Sequence, residues 1–450
     1  MAAAEWGVSL NTWRYPDDVF GPGEEMLKLK IQTQIGRYEF PLQEWKKACF
    51  VADDVLRIIL TELRNQANKN FEGLVIDSDI LRQGSARQGL KIAAPDEFDA
   101  VVLFQIEGLD LQEVRLADSF GHYLPGQIRL RVMNDKELAS MLPRLVKVGV
   151  FEMVQGICLI NTKVFQEQVL KSLMDKSLTA LAVVNQPTNV YNVTRASMPP
   201  TMQLTVHGST SIPMPFKLNV DFVPALMLGR EGISIPRSVV FSSDHLMLFP
   251  RFCVMKWINK ENVDISTKDK EFIWRNSSSS YENLMFDLCL ENPERQYIMT
   301  SCRVMKALVM QLKLRQNHAA NLLTSYHLKT ISMYCILLLT IPSVAPPGFH
   351  LSGVREALGY FLAFLKSVLE NEFLPHFFLG NEYLDRLFPG SSFTNIHVKY
   401  NLFSRINSRN VEAAKFGYPV LVQELDGCFE NRNMNASVIN TFENRVLRRK

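Results

Sequence analysis

Residues 98–106, FDAVVLFQI, form an apolar run rich in β-branched and aromatic side chains, too short for an ordinary helix and therefore a predicted strand. Two acids open it. Side chains alternate faces along a strand, so Glu97 and Asp99 point one way while Phe98 points to the other side, the core. Two carboxylates held that close repel each other unless a cation or a shared proton neutralises them. A hard divalent ion is the economical partner, because Mg²⁺ takes carboxylate oxygens, keeps several waters and bridges one or two protein acids to phosphates. Upstream, Gly84-Ser85 suits a phosphate contact, the glycine letting backbone amides approach and the serine adding a hydroxyl. Taken singly, Pro95-Asp96-Glu97 is an ordinary polar turn before a strand. The pair gains meaning only with a third acid and a substrate pocket.

The stretch FKLNVDFVPAL supplies the acid. A strand over 216–226 puts Phe216, Leu218, Val220 and Phe222 on one face and Lys217, Asn219 and Asp221 on the other. Alone, Asp221 reads as a buried aspartate bonded to backbone. With Glu97 and Asp99 it completes the triad that two-metal phosphoryl chemistry uses, one ion activating the attacking hydroxyl and the other steadying the leaving pyrophosphate.

The chain has 450 residues, 47% hydrophobic and 21% charged, the composition of a folded globular protein with length for a large core. A net charge of +3 neither demands nor excludes a nucleic-acid partner. MAAAEWGVSLNTW has no basic start followed by an apolar core, so no secretory signal is expected. ISMYCILLLTI, residues 331–341, is too short to span a bilayer and reads as a buried helix. Seven scattered cysteines without a Cys-x-x-Cys predict reduced, buried thiols, and no thiolate-imidazole zinc site is legible. A cytoplasmic protein with no membrane partner is the expectation.

From Pro41 to about Lys69, Trp45, Ala48, Cys49, Ala52, Leu56, Ile59 and Leu63 recur at helical spacing, with Pro41 suited to a first turn. The polar side of this helix carries Lys46, Lys47, Arg57, Arg64 and Lys69, a face for solvent or for a phosphate backbone. Strands are expected over 127–133, 150–160 and 202–206, a helix over 161–182, and a polar surface connection over 185–200. The second half is helical in period, over 294–316, 319–341, 354–369 and 411–424, with a basic, disordered tail over 445–450. The fold class is α+β. Residues 1–40 form an N-terminal extension, 41–260 a mixed-sheet lobe flanked by helices and including the long helix, and 261–450 an α-helical lobe.

Five blocks in order carry a resemblance: GSARQGLKIAAPDEFD (84–99), VDFVPAL (220–226), IWRNSSSSYE (273–282), SYHLKT (325–330) and LENEFLP (369–375). Together they resemble the nucleotidyltransferase family of cyclic GMP-AMP synthase and the cyclic GMP-AMP synthase-like receptors, and they span most of the chain beyond its first forty residues.

That resemblance implies a bilobal nucleotidyltransferase fold and an enzyme of innate immunity joining ATP and GTP into a cyclic dinucleotide. It implies Mg²⁺ or Mn²⁺ on Glu97, Asp99 and Asp221, with Asp221 also near the acceptor nucleotide, and Ser85 on the donor triphosphate. Arg275, Ser277, Ser279, Ser280, Tyr281 and Glu282 would line the base and ribose pocket. Of these, Arg275 offers a planar fork, and Ser279 to Glu282 has capping-box spacing before a helix; a polar loop is the plainer reading of that serine run. Lys329 would reach a phosphate, or else snorkel from a helix surface. Asn371 and Phe373 complete the implied nucleotide contacts.

Two departures bear on partners. DNA-sensing family members carry a His-and-Cys zinc ribbon between the third and fourth blocks, where this chain has only Cys289, Cys302 and His318. Double-stranded RNA, read by shape, 2′-hydroxyls and phosphates, is therefore the expected activator in place of DNA, with a ligand-induced homodimer as a further expectation. Glu372 stands where the synthase has a base-stacking tyrosine, leaving Phe373 or Phe377 for that role. Two other functions fit the same motifs, a catalytically silent scaffold and a transferase extending RNA ends.

Overall fold

The computed structural model describes residues 6, 20–34, 36, 40–118, 121–184, 191–198, 201–208, 217–236, 245–256, 265, 269–290, 292–425 and 434–448. Helices α1 (Glu25–Gln34) and α2 (Leu42–Asn70) precede the strands β1 (Leu74–Gln83), β2 (Glu97–Ile106), β3 (Leu111–Ala117), β4 (Tyr123–Val132), β5 (Phe151–Val154) and β6 (Ile157–Ile160). Helix α3 (Lys171–Val184) then leads to β7 (Tyr191–Met198), β8 (Thr201–Gly208), β9 (Leu218–Ile235), β10 (His245–Met255) and β11 (Trp274–Asn276). The remainder is helical: α4 (Ser279–Asp287), α5 (Pro293–Leu314), α6 (His318–Leu322), α7 (Ser325–Thr340), α8 (Val354–Glu370), α9 (Ser408–Gln423) and α10 (Ala436–Thr441). The class is mixed α+β, as the pattern of strand-like and helix-like segments predicts.

One mixed sheet runs β1-β2-β9-β10-β11-β4-β6-β5, with β3 paired to β4 and the β7–β8 hairpin joined through β8 to β9. Strands β2 and β9 run parallel and the other described pairs are antiparallel. One edge of β9 takes β2; along the other, β8 pairs residues 218–222 and β10 pairs 225–235. The long helix buries the whole predicted stripe, Trp45 through Leu63, against this sheet and its neighbours.

Several boundaries differ from the sequence reading. Residues 191–198 are a strand, not a polar connection, because residues 191–196 alternate exposure with period two and the segment pairs its backbone with β8. The strand carrying Asp221 continues past Leu226 to Ile235, where β10 supplies its partner. The helix expected from 319 to 341 breaks at Leu323–Thr324, since Thr324 accepts from the His327 amide while the His327 ring accepts from the Thr324 amide, a reciprocal cap. The basic tail is ordered through Arg448: Val446 and Leu447 are buried, and Lys399 holds the backbone carbonyls around them. Phe216 and Cys428 lie outside the described residues; the other six cysteines are free and buried. Among the described residues no helix is long and apolar enough to cross a membrane.

The N-terminal stretch contributes to the core through Trp6, Leu27 and Ile31. Trp6 is fully buried, donates its indole N–H to Asp53 at 2.6 Å and meets Phe98 edge-on at 4.7 Å. Trp45 stacks on the same ring at 5.5 Å. Arg82 grips Asp53 through two bonds of 2.9 and 2.8 Å, with its guanidinium 5.6 Å from the Trp6 ring centre. The underside of the strand that bears the acids is thus clad by two tryptophans and tied to α2.

Candidate active site

The parallel pairing of β2 with β9 places Asp99 opposite Asp221 and Glu97 opposite Asn219. Adjacent strands lie about 4.8 Å apart, so the three acids share one patch of one sheet face. Phe98 and Val220, between them in sequence, are fully buried on the other face. Gln203 on β8 donates to Asp221 at 3.1 Å, and Thr205 donates to Asn219 at 3.0 Å.

Charge is crowded here. Burial, then Glu97, then Asp221 push the Asp99 carboxyl up to about 6, with Lys329 and Lys91 opposing. Burial also raises Asp221, while the Gln203 bond pulls it back. Glu97 is paired with Lys91 at 3.1 Å, and the same ammonium takes Asp96 at 3.1 Å. Gly84 closes the patch. Its φ of +75° is a glycine conformation, and a Cβ there would overlap the Asp99 carboxylate. Gly84→Ala should therefore lose roughly 1 to 3 kcal/mol of stability by denaturant titration, through left-handed strain and a displaced Asp99.

Beside the acids lies a cavity of about 300 Å³ whose lining includes Ser85, Lys91, Asp96, Glu97, Lys306, Lys313 and Ser325. Lys306 is buried, donates to the Ser85 hydroxyl at 3.0 Å and to the Leu90 carbonyl at 2.5 Å. Burial first, and then the neighbouring Lys91, Lys329 and Arg303, push its ammonium down to about 8, against Cys302. So many cations facing one hollow suit a polyanion. Lys306, Lys313, Lys91 and Ser325 were not singled out from sequence. A signal for Lys306 existed: it falls on the face of α5 that buries Cys302, Met305 and Val309.

The remaining predicted residues divide. Arg275 is exposed on the short strand β11, and the Ser277 and Ser279 hydroxyls bond each other at 3.0 Å. Ser278 precedes α4 and sends its hydroxyl to the Glu282 carboxylate at 2.9 Å, so the capping box expected at Ser279 does not form; Ser280 is in the first turn. Glu282 is buried and pairs with Lys329 at 2.5 Å, and it also accepts from the Tyr326 hydroxyl at 3.3 Å. Lys329 also donates to Gln88 at 3.2 Å and lies 4.9 Å from the Tyr326 ring centre, so it neither snorkels nor points its ammonium freely at a phosphate. Tyr326 bonds His376 at 2.9 Å, joining α7 to the segment after α8.

Tyr281 does not line the cavity. It is buried in an aromatic cluster, stacked on Phe249 at 4.8 Å with Phe388 and Phe393 against its edges. Asn371 donates to the Ser367 carbonyl at 2.8 Å, and Phe373 and Phe377 are both buried, which leaves neither ring a face for a base. Glu372 pairs with Lys415 at 2.8 Å. The structure therefore gathers Ser85, Glu97, Asp99 and Asp221, sets the Lys329–Glu282 pair near enough for Lys329 to act on Asp99, and leaves Tyr281, Asn371 and Phe373 out of the cavity.

Among the described residues, no three His, Cys, Asp or Glu side chains close to metal-ligating positions. Glu97 is engaged by Lys91 and Asp221 by Gln203. The donor set itself is all oxygen, and the Asp99 carboxyl, raised by burial first and then by Glu97 and Asp221, is in a setting that a hard divalent cation would offset. No protein-family model matches the chain, and no curated protein matches it.

Proposed function

We propose that this protein is a metal-dependent nucleotidyltransferase with the bilobal fold of the cyclic GMP-AMP synthase-like receptors, joining ATP and GTP into a cyclic dinucleotide on binding an activator, double-stranded RNA. The observation that carries the reading is the in-register pair Asp99–Asp221, beside Glu97 and next to a cavity walled by Ser85 and three lysines. Asp99 and Asp221, with Glu97 released from Lys91, would hold Mg²⁺ or Mn²⁺. Such an ion, when bound, supplies activation of a hydroxyl and neutralisation of phosphate charge. Lys306 and Ser85 hold a phosphate-bearing tail against the acids, and Lys91 and Lys313 balance its charge. Binding and orientation are the protein's share of this chemistry, and no side-chain nucleophile is required. Lys46, Arg64 and Lys69 are exposed along α2 and supply the phosphate-facing surface for an RNA duplex. An activator bound there acts only if it prefers the active arrangement of the site.

Full-length protein incubated with ATP, GTP and Mg²⁺ or Mn²⁺, with and without RNA or DNA duplexes, should yield a cyclic dinucleotide that Asp221→Asn reduces by at least ~10³-fold. Absence of product under every trigger would favour the scaffold reading. Linear extension of a supplied primer would favour the RNA-end transferase.

A further inference from the structure

Lys91 serves two sets of neighbours. Its ammonium lies 3.1 Å from Glu97 and 3.1 Å from Asp96, and it lines the same cavity as Ser85 and Lys306. It is also near enough for its charge to act on Asp99 and Asp221. One lysine therefore answers the charge of the whole acid patch, the task assigned above to a divalent cation. An ammonium and a divalent cation on the same carboxylate repel each other, so Lys91 and a metal compete for Glu97.

The backbone on either side of Lys91 is fixed. Lys306 donates to the Leu90 carbonyl at 2.5 Å, and the Leu90 amide donates to the Ser85 carbonyl at 2.9 Å, which pins the chain entering Lys91 to α5 and to the Gly84-Ser85 turn. Beyond Lys91 the chain turns sharply. Ala93 has a φ of +74°, a left-handed conformation that a non-glycine residue adopts at a cost, and the Ala94 amide donates to the Ile92 carbonyl at 3.1 Å. This turn sets Asp96 and Glu97 against the ammonium, and any motion between them belongs to the flexible four-carbon stem of the lysine. The Lys91 side chain is only 10% exposed, whereas those of Asp96 and Glu97 are 45% and 54% exposed. Both acids are thus open to a solvated ion and lose little when the lysine turns away.

A polyphosphate held by Ser85 and Lys306 brings a second set of anionic oxygens into the same hollow. We propose that Lys91 is a charge switch: without phosphate it is the counter-ion of Glu97 and Asp96, and a phosphate chain in the cavity draws it away and frees Glu97 for a divalent metal. This rests on the metal reading of Glu97, Asp99 and Asp221 and adds to it an order of loading. Phosphate and metal then bind with positive coupling, because the phosphate removes the charge that opposes the metal, and by linkage the metal favours the phosphate equally. The acids take up their ion when a phosphate is present to be acted on.

Two titrations of the full chain test it: Mn²⁺ alone, with the free ion read by electron paramagnetic resonance, and tripolyphosphate in EDTA by calorimetry. Lys91→Met keeps the apolar stem and removes the charge. It should tighten Mn²⁺ by at least ~10-fold and weaken tripolyphosphate by at least ~3-fold, shifts of opposite sign that a loss of packing does not produce. Lys91→Arg keeps the charge and should hold Mn²⁺ within ~3-fold of the parent affinity. Adding Glu97→Gln to Lys91→Met should remove the gain. The proposal fails if Lys91→Met leaves Mn²⁺ unchanged or weaker, if it moves both ligands in the same direction, if Lys91→Arg tightens Mn²⁺ as much, or if the double variant keeps the gain. In each of those cases, parent Mn²⁺ binding that Asp221→Asn abolishes leaves the metal reading standing. No Mn²⁺ binding by the parent or by Lys91→Met overturns both.

Discussion

At pH 7.5, Asp99→Asn should melt higher than the parent protein and, under the proposed function, make no cyclic dinucleotide. The carboxyl of Asp99 sits at about 6 in the folded chain against an ordinary 3.8, raised by burial and by Glu97 and Asp221. Well below 3.8 the group is protonated whether the chain is folded or not, and it contributes no difference. As pH rises from about 4 to about 6 the unfolded chain ionises first, so stability is lost across that window. Above it the folded state carries a constant penalty of about 2 to 3 kcal/mol. Asparagine has no proton to lose and escapes the penalty. The gain should therefore be present at pH 7.5 and nearly absent at about pH 3, and urea unfolding at both values checks it. Mn²⁺ should raise the melting temperature of the parent, because a cation favours the ionised acid, and should do little for the variant. A gain of equal size at both pH values would sink the electrostatic account.

Lys329→Met should destabilise the fold by about 3 to 5 kcal/mol, because it strands the Glu282 carboxylate in the interior. Burial, the largest single influence, pushes that carboxyl up; the charge and hydrogen bond of Lys329, 2.5 Å away, with Ser278 and His376, together outweigh it and hold the group below its ordinary value. Removing the lysine reverses the balance and leaves the Ser278 and Tyr326 hydroxyls as partners. Adding Glu282→Gln to Lys329→Met should restore most of the loss, since a neutral amide keeps hydrogen-bonding capacity without a buried charge. Urea unfolding of the two single variants and the double variant measures the coupling. A loss under about 1 kcal/mol for Lys329→Met would place the pair in a wetter setting than its burial indicates.

What could be read in advance follows the range of the interactions. The short apolar run FDAVVLFQI, rich in β-branched and aromatic residues, is a local signal, so the strand was legible, and with it the shared face of Glu97 and Asp99. The stripe on α2 was legible for the same reason. The match of Asp99 to Asp221 comes from a parallel pairing between segments more than a hundred residues apart, and no local pattern encodes that register. Lys306 was hidden by habit, since a lysine in a helix is ordinarily read as solvated, although its position on a buried face argued otherwise. Tyr281, Asn371 and Phe373 were assigned from the resemblance, and here Tyr281 and Phe373 are buried in packing while Asn371 bonds its own helix end. Strand β7 escaped because its polar residues belong to a hairpin whose order comes from backbone pairing more than from burial.

Trp6 also has a consequence for how the molecule is made. During synthesis it emerges before its hydrogen-bond partner Asp53, which follows 47 residues later, and before Arg82 and Phe98, which follow later still. Until they arrive, a large apolar ring waits without a pocket. Contacts between such distant residues close late, after shorter loops have formed. The pocket of Trp6 thus exists only where α2, β1 and the acid-bearing strand are together, so its burial reports on their joint assembly.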